Sequence, residues 1–177
     1  MRLTTRRSVS LLKWSAGAIG LLLTLSAVAQ SPVSQTAEEY AALKASSITG
    51  KMPAQVIADA PKGSLKNPFT GQEDKIAQGH ELFMSYSCSG CHGGTGGGGM
   101  CPQVNGDVWF YGMDDDVLFR LVTLGSVEMD KAGFAHLGGP GLQMPPFGTL
   151  IKSDEELWKI IAWIRSIYKG DPKKKFW

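Results

Sequence analysis

Cys88, Ser89, Gly90, Cys91 and His92 stand together as C-x-x-C-H, and this pentapeptide narrows the chemistry of the chain sharply. Two thiols three residues apart can each add to a vinyl group of one porphyrin, and the histidine that follows is then held within reach of the iron. The spacing predicts covalent attachment of one haem c, with a proximal ligand from the same local element. A zinc site would need a second Cys/His pair at finger spacing, and a dithiol redox centre would sit in a thioredoxin-like βαβ pattern. Neither is present in the sequence.

A six-coordinate iron takes its second ligand from a distant part of the chain. Met144 is the best candidate, within the sequence G-L-Q-M-P-P-F-G over residues 141–148. A thioether favours ferrous iron and so raises the potential, while Pro145 and Pro146 restrict the loop that must hold this weak ligand. Met100, Met113 and Met129 are rivals in less rigid settings. His136, eight residues before Met144, offers bis-histidine ligation at a lower potential. Past the motif, the main-chain carbonyl of Pro102 is placed to accept the Nδ1 proton of His92, which would fix the ring and strengthen its donation. Trp109, Phe110 and Tyr111 are expected to wall the pocket, with Trp109 or Tyr111 bonding a propionate.

Three neighbouring features read more plainly. Gly93, Gly94 and residues 96–99 suggest backbone passing the haem edge with unusual dihedrals; no strand precedes them and no Gly-Lys-Ser follows, so a phosphate cradle is excluded. Cys101, the odd cysteine, is expected to be a buried small hydrophobe, against the alternatives of an intermolecular disulfide or a redox-sensitive thiol. His80 is expected to be a solvated surface residue.

The elements that must position these residues are helical. A first helix is predicted over residues 73–87, with Ile76, Gly79, Leu82, Phe83 and Tyr86 at helical spacing; Gly79 is costly there unless another backbone approaches closely. A second is predicted over residues 114–124, opened by three acids that suit its N-terminal dipole and carrying Val117, Leu118, Leu121 and Val122 on one face. The last begins at Ser153, which forms a capping box with Glu156. It carries Leu157, Ile160, Ile161, Ile164 and Ile167 or Tyr168 as a buried stripe and stops at Gly170. No alternating pattern of useful length competes, so the fold class is all-α.

Ahead of this core, residues 1–29 carry Arg2, Arg6, Arg7 and Lys13, an apolar run and Ala27-Val28-Ala29. They read as a signal peptide cleaved after Ala29, with an uncleaved membrane anchor as the alternative. Removing them takes four of the 18 basic residues and none of the 16 acidic ones, leaving 14 against 16. The remaining chain has no basic stripe for nucleic acid, and its lysines at 173–175 read as a solvated tail in residues 171–177. Residues 30–71 read as an N-terminal extension that wraps the core or stays partly mobile. A short helix is expected at 40–45, and Pro53, Pro61 and Pro68 interrupt the remainder of the extension. The haem domain is then residues 72–170.

With these residues in place, the chain resembles a class I c-type cytochrome. In that family a glycine and an aromatic on the helix before C-x-x-C-H pack against the final helix, which implies that Gly79 and Phe83 meet Ile160 and Trp163. A narrower resemblance lies in Cys91-His92-Gly93-Gly94, the glycine run into Met100-Cys101-Pro102, Trp109-Phe110-Tyr111-Gly112, Met144-Pro145-Pro146-Phe147-Gly148 and residues 163–172. These are similar to the periplasmic cytochromes, including the cytochrome c-L type, that serve pyrroloquinoline-quinone (PQQ) alcohol dehydrogenases. The resemblance implies a periplasmic monohaem carrier of single electrons and not an enzyme. Its donor would be a PQQ-dependent methanol- or ethanol-type dehydrogenase, and its acceptor a downstream cytochrome or terminal oxidase. The alternatives are a haem enzyme or gas sensor with an open distal position, and a membrane-tethered electron-transfer module.

Overall fold

The computed structural model describes residues 48–134 and 143–171, all within one compact unit. The leader, the expected helix at 40–45, His136 and the tail beyond residue 171 lie outside the described residues. The elements are α1 (Pro53–Asp59), α2 (Glu73–Ser85), α3 (Cys88–His92), α4 (Asp115–Lys131) and α5 (Asp154–Ser166). No strand occurs among the described residues, and their architecture is all-α as expected.

The core forms where α2 crosses α5. Gly79 presents no side chain at the crossing, so the backbone at Lys159 and the Trp163 Cβ come close. One turn on, Phe83 is fully buried and its ring lies 4.5 Å from that of Trp163. Leu157, Ile160 and Ile161 continue the buried face of α5, the 3.6-residue stripe of its sequence turned inward.

The capping box at the start of α5 is only half formed. Ser153 Oγ accepts from the Glu156 amide at 3.3 Å, but the Glu156 carboxylate instead accepts the Tyr86 hydroxyl at 2.5 Å, because α2 brings that phenol within reach. Nor does Gly170 end the helix, whose last residue is Ser166. Gly170 is needed because the Tyr168 ring and the Asp107 carbonyl fill the space a Cβ would occupy.

Of the prolines in the extension, Pro61 and Pro68 lie in the irregular stretch between α1 and α2 as expected, but Pro53 does not interrupt the chain. Pro53 stands in the first turn of α1, where its missing N–H costs nothing and its fixed φ suits the helix. The segment is tied to the core by buried polar groups. Asp154, with no exposed surface, accepts from the Thr49 amide at 2.6 Å, the Thr49 hydroxyl at 2.8 Å and the Gly50 amide at 2.9 Å. Asn67 donates to the Trp158 carbonyl at 3.0 Å. Arg120, 6% exposed, pairs with Asp116 at 2.8 Å and donates to the carbonyls of Ala60 and Pro61 at 2.7 and 2.9 Å. Asp115 accepts from the Asn67 amide and pairs with Arg165. The acids at the start of α4 therefore anchor neighbouring segments as well as matching the helix dipole.

α4 runs past the predicted end at residue 124, but Gly125 interrupts it with φ 74° and ψ 167°. The hydrophobic period continues through Met129, fully buried, so the two halves act as one element with a break at the glycine.

Candidate functional site

α3 is a single turn set between two left-handed residues. Ser87, at φ 61°, is the one non-glycine residue with positive φ among those described, and Gly93 closes the turn at φ 75°. On this turn Cys88 and Cys91 are three residues apart and Cys88 and His92 four, spacings that put all three side chains on one helical face. No disulfide joins the cysteines. Burial pushes the Cys88 thiol up to about 11.

His92 Nδ1 lies 2.7 Å from the Pro102 carbonyl oxygen. A carbonyl only accepts, so Nδ1 carries the proton and Nε2 keeps its lone pair for a metal. Phe83 stands beside the imidazole, with ring centroids 6.4 Å apart.

His92 and Met144 line one cavity together with Cys88, Pro102, Trp109 and Tyr111. It contains about 950 Å³ of empty space, part of it open to solvent, and the rest of its wall is largely apolar, from Phe83 and Val104 to Leu118, Val122, Ile160 and Ile164. A smaller space of about 450 Å³ shares Cys88, His92, Pro102 and Met144 and adds Cys91, Cys101, Pro145 and Phe147. Apolar walls, two thiols on one turn and an imidazole with a tied Nδ1 fit a porphyrin linked through its vinyl groups and bound at iron by nitrogen.

Among the described methionines Met144 alone lines this cavity with His92. Met113 and Met129 are buried in the core, and Met100 is 66% exposed. The chain at Met144 docks on the break in α4: Phe147 N–H donates to the Val122 carbonyl at 2.9 Å and Gly148 N–H to that of Thr123 at 3.0 Å.

Several expected roles change. Trp109 and Tyr111 wall the cavity; Trp109 Nε1 donates to the Val104 carbonyl at 3.0 Å and the Tyr111 hydroxyl to the Asp130 carboxylate at 2.6 Å, so both polar atoms have protein partners. The glycine run takes positive φ at Gly93, Gly96 and Gly98, yet it packs on protein. Cβ atoms there would meet Gly98, Gln103, Val104 and Ile167, and no residue from 93 to 99 lines either cavity. The physical reason is a pair of bonds: the Val104 and Asn105 amides both donate to the Gly96 carbonyl, at 2.8 and 3.0 Å, folding the loop on itself.

Cys101 is partly exposed rather than buried. Its thiol is raised by burial and by contact with the Cys91 thiol. His80 is exposed but engaged, stacked on Trp163 at 4.6 Å with Nε2 2.9 Å from the Gly94 carbonyl. Sequence reasoning missed Gly125 and Ser126, for which the only signal is a glycine-serine pair inside an otherwise helical pattern.

The chain is 31% identical to cytochrome c-L of Methylorubrum extorquens over 113 residues, covering 63% of this chain and 50% of that protein. It is 26% identical to the cbb3-type cytochrome c oxidase subunit FixP of Sinorhizobium medicae over 114 residues, 64% of this chain and 37% of that one. It thus spans half or less of the length of these relatives. The crystal structure of cytochrome cL from Hyphomicrobium denitrificans is 31% identical, covers 60% of this chain and 55% of that one, and superposes with a TM-score of 0.46. Residues 74–164 match the family model described as cytochrome C oxidase, cbb3-type, subunit III. That match takes in just over half of the 177 residues, and the chain accordingly belongs to this family of class I c-type cytochromes, which bind haem c covalently.

Proposed function

We propose that this cytochrome is a monohaem carrier of single electrons, with Cys88 and Cys91 as the attachment thiols and His92 and Met144 as the axial ligands. The observation that carries the reading is the shared cavity: among the described residues, one imidazole and one thioether line the same largely apolar space. Haem c supplies a one-electron couple at its iron. The chain's own residues do the rest. Pro102 holds the His92 ring in one tautomer, the apolar wall keeps water from the metal, and Pro145 with Pro146 limits the excursions of the Met144 sulfur. Thioether ligation and a dry wall both favour the reduced state.

The likeness to cytochrome c-L supports a PQQ-dependent alcohol dehydrogenase as donor, with a downstream cytochrome or terminal oxidase as acceptor. The arginine-rich leader with its Ala-x-Ala end supports a periplasmic location; among the described residues no helix is long and apolar enough to cross a membrane. Pro102, Gln103, Val108 and Phe110 line the cavity and are exposed, and form the rim on which a redox partner docks.

The test of ligation is Met144→Ala. The variant should keep covalent haem, lose the near-infrared sulfur-to-iron charge-transfer band and fall in potential. Retention of the band would remove Met144 from the iron.

A further inference from the structure

The break in α4 at Gly125 does more than bend a helix. At φ 74° and ψ 167° the i to i−4 pattern is lost, and the Ser126 amide turns away from the Val122 carbonyl it would otherwise meet. It donates instead to the Met144 carbonyl at 3.0 Å. In return the Met144 amide donates to Ser126 Oγ at 3.0 Å. Met144 is thus gripped on both sides of its own Cα by one residue. The next contacts continue the seam, since the Val122 and Thr123 carbonyls accept from Phe147 and Gly148. A Cβ at Gly125 would lie 2.5 Å from the Met144 oxygen, so glycine permits both the dihedral and the approach.

We propose that Ser126 is a positioning residue for the axial thioether, setting how readily Met144 leaves the iron; this rests on the reading of Met144 as the second ligand. A thioether is a weak ligand, and holding it competes with the freedom a loop gains by releasing it. Of the four seam bonds, the one to Ser126 Oγ is the one made by a side chain. Removing it leaves the Met144 amide, at a partly buried position, without its acceptor. Loss of that hydroxyl leaves the three backbone bonds of the seam in place, so it acts on the ligand loop and not on haem attachment.

Imidazole added to the ferric protein competes with Met144 for the iron, so its affinity measures the grip on the thioether. Ser126→Ala should carry a full complement of covalent haem and bind imidazole about tenfold more tightly than the parent, the size of one lost hydrogen bond. Ser126→Thr, which restores an acceptor, should return most of the difference. Val56→Ala, a core truncation in α1, should lower the melting temperature without changing imidazole affinity. If Ser126→Ala binds imidazole no more tightly than the parent, or no more tightly than an equally destabilised Val56→Ala, the positioning role is wrong. Met144→Ala separates the two readings. If it gains imidazole affinity and Ser126→Ala does not, only the role of Ser126 falls; if Met144→Ala also fails to gain, Met144 is not the ligand.

Discussion

The carbonyl of Lys159 occupies the place where a side chain at Gly79 would begin, so α2 and α5 meet backbone to backbone at that point. Close approach there lets the Phe83 and Trp163 rings pack in a tilted pair and brings Phe83 beside His92. Gly79→Ala should force the helices apart and cost about 1–3 kcal/mol despite the better helix propensity of alanine. Urea unfolding of the holoprotein measures this; an unchanged or raised midpoint would mean that the crossing tolerates a methyl group.

Asp154 ties the segment before α1 to the start of α5 through three bonds to Thr49 and Gly50 while it is itself sealed from water. Removing it leaves three partly buried donors without their acceptor at once. Asp154→Ala should destabilise the protein by about 2–4 kcal/mol, and limited proteolysis should cleave first near residue 50. Equal protease resistance in variant and parent would show that the segment is held elsewhere.

Burial raises three phenols, Tyr86, Tyr111 and Tyr168, which should make stability fall at alkaline pH. Burial raises Tyr111, with its bond to Asp130 adding to the effect, and burial together with the Glu156 carboxylate raises Tyr86, both above the ordinary value of 10.0. Below about pH 10 folded and unfolded chains both keep these protons and the contribution is whole. As pH rises further the unfolded chain releases its protons first, so stability falls until the folded values are passed. Tyr111→Phe should flatten that decline in urea midpoints measured on either side of pH 10. An equally steep decline in the variant would assign it to other groups.

The α2 and α5 helices are legible in the sequence because a 3.6-residue apolar period and a glycine that must face a backbone leave few alternatives for Phe83, Ile160 and Trp163. The C-x-x-C-H turn is legible for a covalent reason, since its spacing is dictated by the porphyrin. What escapes is the behaviour of polar groups whose partners are far along the chain. Glu156 looks like half of a capping box until Tyr86 arrives from α2 to claim it. Gly125 falls just past the predicted end of its helix, and nothing in the sequence tells that the Met144 carbonyl fills the space where its Cβ would stand. The glycines after His92 look like a haem-edge loop, whereas Val104 and Asn105 draw them back onto Gly96.

Cys101 is partly exposed but tucked against Cys91, so it should be a slow thiol. With Cys88 and Cys91 consumed by haem, one thiol per chain should titrate, sluggishly in the native protein and at once after unfolding. Cys101→Ser should retain full haem attachment. Rapid labelling of the native protein, or a disulfide-linked dimer on a non-reducing gel, would overturn the shielded placement.

Partner docking gives the last prediction. Val108 and Phe110 are 44% and 45% exposed while lining the cavity, so a redox partner can reach the haem edge there through a small, quickly released interface. A charge placed on that rim alters encounter more than it alters the iron. Phe110→Lys should slow reduction by a PQQ-dependent alcohol dehydrogenase several-fold and change its dependence on ionic strength, with the optical spectrum and potential nearly unchanged. Met84, 47% exposed and outside both cavities, provides the control: Met84→Lys should leave the rate as it was. Stopped-flow reduction compares them. Equal rates for the two variants would move the docking face away from Val108 and Phe110. If the dehydrogenase reduces the parent no faster than it reduces an unrelated cytochrome of similar potential, it is not the donor, and the electron-carrier reading then stands without that partner.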